Sequence, residues 1–345
     1  MFAEITGWGK CLPPAVLTND DLSTFMDTND EWIVSRTGIK QRHVSHVPLD
    51  QLATVAADRA LACAGLAAKD VELIILATCS ASSLLPNTAC FVQESVEAHN
   101  AAAFDLNTAC SGFIYSLSTA TSMIQSGAIK NALIIGAEHL TYYINWDQRD
   151  SAVLFGDGAG AVVVQATEQK LGVLGYALGN DASGKDYIRL HNFGSSMDFS
   201  STRQIQFEGR EVFKKAVPGM VTMATRALQK AGKTLNDIDL VIPHQANERI
   251  IEAVIHKLGG SMEKTFVNIA NYGNTSAATI PIAICDAIEQ GVLKAQSTLL
   301  SPAFGAGLSS AAAVIQWSDR VKAQDKSTRQ LPPCDKTALE LIGRR

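Results

Sequence analysis

Residues 59–73 read RALACAGLAAKDVEL, and residues 226–240 read RALQKAGKTLNDIDL. Seven of the fifteen positions are identical, at an offset of 167. The same offset carries Asp70 to Asp237 and Asn107–Thr108 to Asn274–Thr275; beyond that point the registers are expected to drift by a few residues. A repeat of this length, in which apolar strands alternate with amphipathic helices, indicates two similarly built α/β halves. Each half reads as helix, strand, variable segment, strand, helix, strand. The runs ELIILAT (72–78) and DLVIPHQ (239–245) are nearly all apolar, as expected of strands covered on both faces. The divide falls near 165–175.

Composition narrows the functional classes. The chain has 345 residues, 47% hydrophobic and 18% charged, with a formal net charge of -5. That is enough apolar material for a large core. No basic run argues for nucleic acid, and no long apolar run for a membrane span. The N-terminus MFAEITGWGKCLPP reads as a first strand and not as a signal peptide. Seven cysteines, Cys11, Cys63, Cys79, Cys90, Cys110, Cys285 and Cys334, form no CxxC pair and no regular framework. They are expected to be reduced thiols of a cytoplasmic protein. His43 and His46 have a metal-like spacing without nearby ligand-type partners, so no metal site is expected.

The repeat singles out two residues. Cys110, in FDLNTACSGF (104–113), follows a short apolar run and precedes apolar residues at helical spacing, which places it in the first turn of a helix. Free cysteine often packs as a small hydrophobe. A helix N-terminus, however, favours thiolate over thiol. At the repeat offset Cys110 faces Ala277 and His244 faces Ala77. The scaffold accepts alanine at both places, so packing alone does not call for Cys110 or His244. His244 ends the strand DLVIPHQ, and Asn274 lies in NYGNTSAAT (271–279), read as a strand-to-helix turn. Ligand sites form at such strand ends. Pseudo-twofold packing of the halves would bring Cys110, His244 and Asn274 together. The glycine run FGDGAGA (155–161) is followed by the strand-like VVVQAT; a dinucleotide site needs a helix there. A tight turn that supports the site is expected instead.

Ordered motifs run through residues 1 to about 317. They are DTNDEWIVSRTGIKQRH, NTACSGF, LFGDGAGA, GREVFKKAV, PHQANERII, NYGNTSAAT and AFGAG. In these the chain resembles the β-ketoacyl-acyl-carrier-protein synthase III family of thiolase-like condensing enzymes. The resemblance implies a duplicated α/β fold in αβαβα layers. Its halves would be 1–170, carrying the nucleophile, and 171–317, carrying the His/Asn pair, with 318–345 a polar extension free in solution or laid over the surface.

The implied activity is the first condensation of fatty acid synthesis. Cys110 takes the acyl group of an acyl-coenzyme A primer; His244 and Asn274 then support decarboxylation of malonyl-carrier protein; the carbanion attacks the acyl-cysteine. Backbone N–H groups of Cys110 and Ala306 would form the oxyanion hole. Thr28, Trp32, Arg36, Arg149 and Asn247 would hold coenzyme A, with Trp32 and Arg149 on the two faces of the adenine. Lys214, Arg249 and Lys257 would dock the carrier protein. A homodimer is implied, in which Leu85, where acetyl-primed relatives often carry an aromatic, reaches the partner's acyl pocket and leaves room for a longer primer. No cofactor is implied. A condensing enzyme or acyltransferase of secondary metabolism would use the same Cys110–His244–Asn274 set; a non-catalytic binding homologue would not need it. AFGAGLSS lacks the second cysteine of thiolases, and Leu308, Ser309 and Ser310 replace the usual aromatic and Thr-Trp-Gly.

Overall fold

The apolar run Leu73–Ala77 is buried at every position and forms an interior strand, as its composition predicts. A computed structural model describes residues 1–190 and 204–344. Nine strands are used below: β1 (Phe2–Cys11), β2 (Leu73–Ala77), β3 (Ala102–Leu106), β4 (Asn131–Glu138), β5 (Gly158–Thr167), β6 (Gly172–Asn180), β7 (Leu240–Val241), β8 (Thr298–Gly305) and β9 (Ser309–Gln316). Their order is β7-β8-β9-β6-β1-β5-β4-β2-β3. Strands β1 and β6 touch through one parallel pair, Ala3 with Gly172, so the array is two sheets joined at a corner.

Helices complete five layers. Those used below are α1 (Asp30–Thr37), α2 (Leu49–Ala64), α3 (Gly112–Gln125), α4 (Gly209–Ala231), α5 (Glu248–Leu258) and α6 (Thr279–Glu289). Helices α3 and α6 are buried on nearly all sides and lie between the sheets. Phe113, Leu117, Ile280 and Ile284 share one core there with Ile75, Ile134, Ala303 and Ala313 of the strands. Helix α2 covers the outer face of the first sheet through Leu52, Ala56 and Ala60. Helices α4 and α5 cover the second through Ala224, Ala227, Ile251 and Ile255.

The repeat is visible in detail. Helix α2 ends on Gly65 and α4 on Gly232, both with φ of 65°, a left-handed cap that glycine adopts without a Cβ clash. Helices α3 and α6 begin 167 residues apart, and so do β4 and β8. The expected drift is therefore local. Helix α6 stops early, its following loop is longer, and the register returns before β8.

Two strand readings need correction. The strand expected before Asn274 does not form; Ile269–Tyr272 is a single helical turn, and pairing there shrinks to two isolated bridges, Val241 with Thr265 and Phe155 with Asn274. Asn268 explains part of this. Its side chain donates to Asp286 at 2.9 Å and its N–H donates to Gln245, so it serves inward polar contacts instead of a ladder. The strand before His244 is also short. Ile242 and His244 still donate to Leu300 and Pro302, but Pro243 between them has no N–H to give.

The glycine run is not the tight turn expected: Gly158 to Ala161 are already extended strand, and only Gly156 and Asp157 precede it without regular structure. It leads into β5, and a Cβ on Gly160 would lie 2.8 Å from Ile282 N and Pro281 Cβ, so glycine lets α6 approach the strand. Buried Asp157 accepts from Ser45 N–H at 2.7 Å and Thr141 N–H at 2.9 Å, which fixes the two loops above it.

Candidate active site

The central cavity, about 1860 Å³, opens where the corresponding ends of the two halves meet, and Cys110, His244 and Asn274 all line it. Cys110 belongs to a 3-10 turn, Ala109–Ser111, that precedes α3; the sequence reading placed it inside the helix. Ala109 has φ of 48°, a left-handed conformation costly for a residue with a Cβ. Its repeat partner Ser276 has φ of 49°, so both halves carry the same strained elbow. The elbow turns Cys110 out of the core towards the cavity. Strand β8 comes up behind it: a Cβ on Gly305 would lie 2.7 Å from the Cys110 backbone nitrogen. Ala306, at the start of the next turn, also lines the cavity.

Two hydroxyls clamp the elbow. Ser309 donates to Thr108 O at 2.8 Å, and Ser111 donates to Ser309 Oγ at 2.7 Å. Ser309, a departure from the family pattern, ties the second half to the turn that carries Cys110.

Burial pushes the Cys110 thiol up to about 12; the Ser276 hydroxyl pulls it down and the Glu138 carboxyl adds to the rise. The resting group is a thiol. Burial thus works against the thiolate that a helix N-terminus favours. Glu138 is buried and accepts from Ser276 Oγ at 2.9 Å, Thr78 Oγ1 at 3.1 Å and Cys79 N–H at 3.2 Å. Burial raises its pKa as well, against these bonds. Nothing in its local sequence marked Glu138; the clue available was its place 167 residues before Gly305.

His244 is 2% exposed, and burial lowers its pKa to about 3, so it is a neutral imidazole. Its Nδ1 lies 2.7 Å from Thr279 Oγ1. Asn274 is held by its backbone, donating to Leu154 O at 2.8 Å and accepting from Gly156 N–H at 3.1 Å. Its side-chain Oδ1 accepts from Ser276 N–H at 2.8 Å. That bond assigns the amide orientation and leaves Nδ2 as the donor of the side chain.

At the mouth, the stretch carrying Trp32 is a helix, α1, capped by Asn29 Oδ1 on Trp32 N–H at 2.8 Å. The Trp32 ring carries the Arg36 guanidinium at 4.8 Å and that of Arg149 at 4.3 Å. Asn247 lines the cavity but also works structurally: it caps α5 through Arg249 N–H and donates to Arg36 O at 3.0 Å. Lys214 and Arg249 line the rim, Lys214 paired with Glu211 at 2.7 Å. Thr28 and Lys257 lie outside the lining, Thr28 with its hydroxyl buried and Lys257 exposed in the last turn of α5. Leu85 is 89% exposed and stands outside the cavity of its own chain, while Leu84 reaches its edge. All seven cysteines are free, and among the described residues no group of three His, Cys, Asp or Glu is placed to hold a metal. No described helix is long and apolar enough to cross a membrane.

Residues 104–182 match the family described as 3-oxoacyl-[acyl-carrier-protein (ACP)] synthase III, and residues 228–317 match its C-terminal region. A beta-ketoacyl-[acyl-carrier-protein] synthase III 2 of Vibrio vulnificus (strain YJ016) is 56% identical, over 99% of this chain and 95% of its own length. The chain belongs to the β-ketoacyl-[acyl-carrier-protein] synthase III family. A further member, from Roseiflexus castenholzii (strain DSM 13941 / HLO8), is 46% identical over 92% of this chain and 98% of its own. The crystal structure of 3-oxoacyl-[acyl-carrier-protein] synthase III from Aquifex aeolicus VF5 superimposes with a TM-score of 0.87 at 45% identity, covering 91% of this chain and all of the other. The family membership and the thiolase-like layered fold read from the sequence are thereby established.

Proposed function

We propose that this chain is a β-ketoacyl-acyl-carrier-protein synthase III that joins an acyl-coenzyme A primer to malonyl-carrier protein. The observation that carries the reading is that Cys110, neutral His244 and the free Asn274 amide line one cavity. In the first half-reaction Cys110 Sγ attacks the primer thioester, a C–S bond to coenzyme A breaks, and the thiol proton ends on the departing coenzyme A sulfur. The Cys110 and Ala306 N–H groups receive the developing oxyanion. In the second, His244 Nε2–H and Asn274 Nδ2–H donate to the malonyl thioester carbonyl. Loss of carbon dioxide leaves the enolate those donors stabilise. Its carbon attacks the acyl-cysteine, and the Cys110 sulfur leaves and regains a proton. The carbon dioxide loss supplies the carbanion, so these side chains suffice for each step without a cofactor.

The adenine of coenzyme A would enter between Trp32 and Arg149, lifting Arg149 off the ring, with Arg36 towards the phosphates. Asn247 would face the pantetheine arm. Thr28 would contribute from beneath this slot. Lys214 and Arg249 form the near part of a carrier-protein face, with Lys257 at its far edge. A homodimer would place Leu85 in the partner's acyl pocket. We read 1–170 and 171–317 as the two halves, and the cytoplasm as the compartment.

The test is intact-protein mass spectrometry after incubation with acyl-coenzyme A esters, followed by malonyl-carrier protein. An acyl adduct on Cys110 that is discharged as 3-oxoacyl-carrier protein is the expected result. An adduct that never turns over, or none at all, would overturn the reading.

A further inference from the structure

Residues 318–344 are not a loose tail. They form a strap that crosses one outer face and returns to the active-site cavity. Gln324 N–H donates to Cys63 O at 3.0 Å beside the end of α2. Arg329 Nη2 donates to Ser95 O at 3.0 Å, and Pro332 O lies 2.8 Å from His46 Nε2, at the cavity lining. A last helical turn, Ala338–Leu341, is closed by a capping box between Thr337 and Glu340. Arg344 then lies over the Phe25 ring at 5.1 Å and pairs with Asp147, in the turn that leads to Arg149.

Ordering such a segment costs backbone entropy at every residue, so the strap needs apolar docking to stay in place. Its apolar side chains supply it. Ala338 is 4% exposed, and Leu341 and Ile342 pack in the cluster that holds Leu140, Tyr143, Leu190 and Ile205. Leu140, Tyr143, Leu190 and Ile205 line the same cavity as Cys110, and so do Leu341 and Ile342 themselves. The wall they make is apolar, unlike the basic rim of Arg36, Arg249 and Lys214. An apolar wall suits an alkyl chain.

We propose that Leu341 and Ile342, on the last turn of the strap, form part of the acyl-chain wall and limit the length of the primer that Cys110 accepts. The inference rests on the condensing-enzyme reading above.

The experiment measures the rate of acyl-Cys110 formation with acetyl- to dodecanoyl-coenzyme A, by intact mass, in the full chain. It compares wild type with Leu341→Ala/Ile342→Ala and with Leu341→Trp, each checked by circular dichroism. The alanine pair should raise the decanoyl-to-butyryl ratio about fourfold for each methylene newly buried. The tryptophan variant should lower it by a similar factor. A ratio within twofold of wild type in the folded variants would overturn the inference. So would a uniform change at every chain length, which would place the turn on the coenzyme side. If the alanine pair does not fold, Leu341→Trp decides alone. No adduct on wild type with any ester would instead refute the condensing-enzyme reading, and this inference with it.

Discussion

The Nδ1 of His244 lies 2.7 Å from Thr279 Oγ1, and that hydroxyl also lies 3.0 Å from Ser276 O. A hydroxyl has one proton to give. Given to His244, it leaves the imidazole proton on Nε2, facing substrate as a donor. Given to Ser276 O, it requires Nδ1–H and turns Nε2 into an acceptor. Decarboxylation with His244 as a donor needs the first arrangement, so which of its two partners Thr279 serves decides whether Nε2 can donate.

Thr279→Val keeps the shape and removes the hydroxyl. Losing one buried hydrogen bond of about 1–1.5 kcal/mol should slow condensation about tenfold. Acylation of Cys110 should be unchanged, and Thr279→Ser should restore turnover. Equal loss of both half-reactions in Thr279→Val would show a merely structural role.

His244→Ala and Asn274→Ala should each retain acyl-enzyme formation and lose condensation by about 10² to 10³, the usual cost of one oxyanion donor. Asn274→Asp is the sharper variant. It keeps an acceptor for Ser276 N–H but replaces the Nδ2 donor with an oxygen, so it should fail like alanine. Single-turnover measurements of each half-reaction separate the roles.

Cys110→Ala should abolish acylation and leave the melting temperature within a few degrees, since Ala277 fills the matching place in the other half. In the wild type, the raised thiol pKa implies that alkylation of Cys110 by iodoacetamide accelerates with pH. The thiolate fraction should grow about tenfold per unit from pH 7 to 10. A plateau below pH 8 would show that the thiolate forms far more readily than burial allows.

His244 also has a stability signature. Folded, burial holds its pKa at about 3; unfolded, it titrates near 6.5. Below pH 6.5 the unfolded chain binds the proton first, so stability is full above that pH and falls as pH drops towards 3. The loss approaches about 1.4 kcal/mol per unit. Urea titrations of wild type and His244→Gln should show their difference moving against the wild type between pH 6.5 and 4. A constant difference would mean that His244 is protonated readily in the fold.

Local pattern was enough for the repeat, the buried strands and the choice of Cys110 as the candidate nucleophile. The 167-residue offset, the apolar runs and the contrast of Cys110 with Ala277 are properties of short stretches, and periodicity is a local consequence of backbone geometry. What the chain does across distance was not legible there. The matching left-handed elbows at Ala109 and Ser276, the contact of Thr279 with His244, the Ser309 clamp and the buried Glu138 exist because two sheets press α3 and α6 together. Sequence leaves the strap as a polar extension, free or laid over the surface, because its few apolar residues show no period. Leu341 and Ile342 gain meaning only from the cluster they meet, where Leu140, Tyr143, Leu190 and Ile205 lie more than 130 residues away in sequence. Burial likewise decided the protonation of Cys110 and His244: the cost of a charge depends on the surroundings that packing supplies, and residue type alone does not specify them.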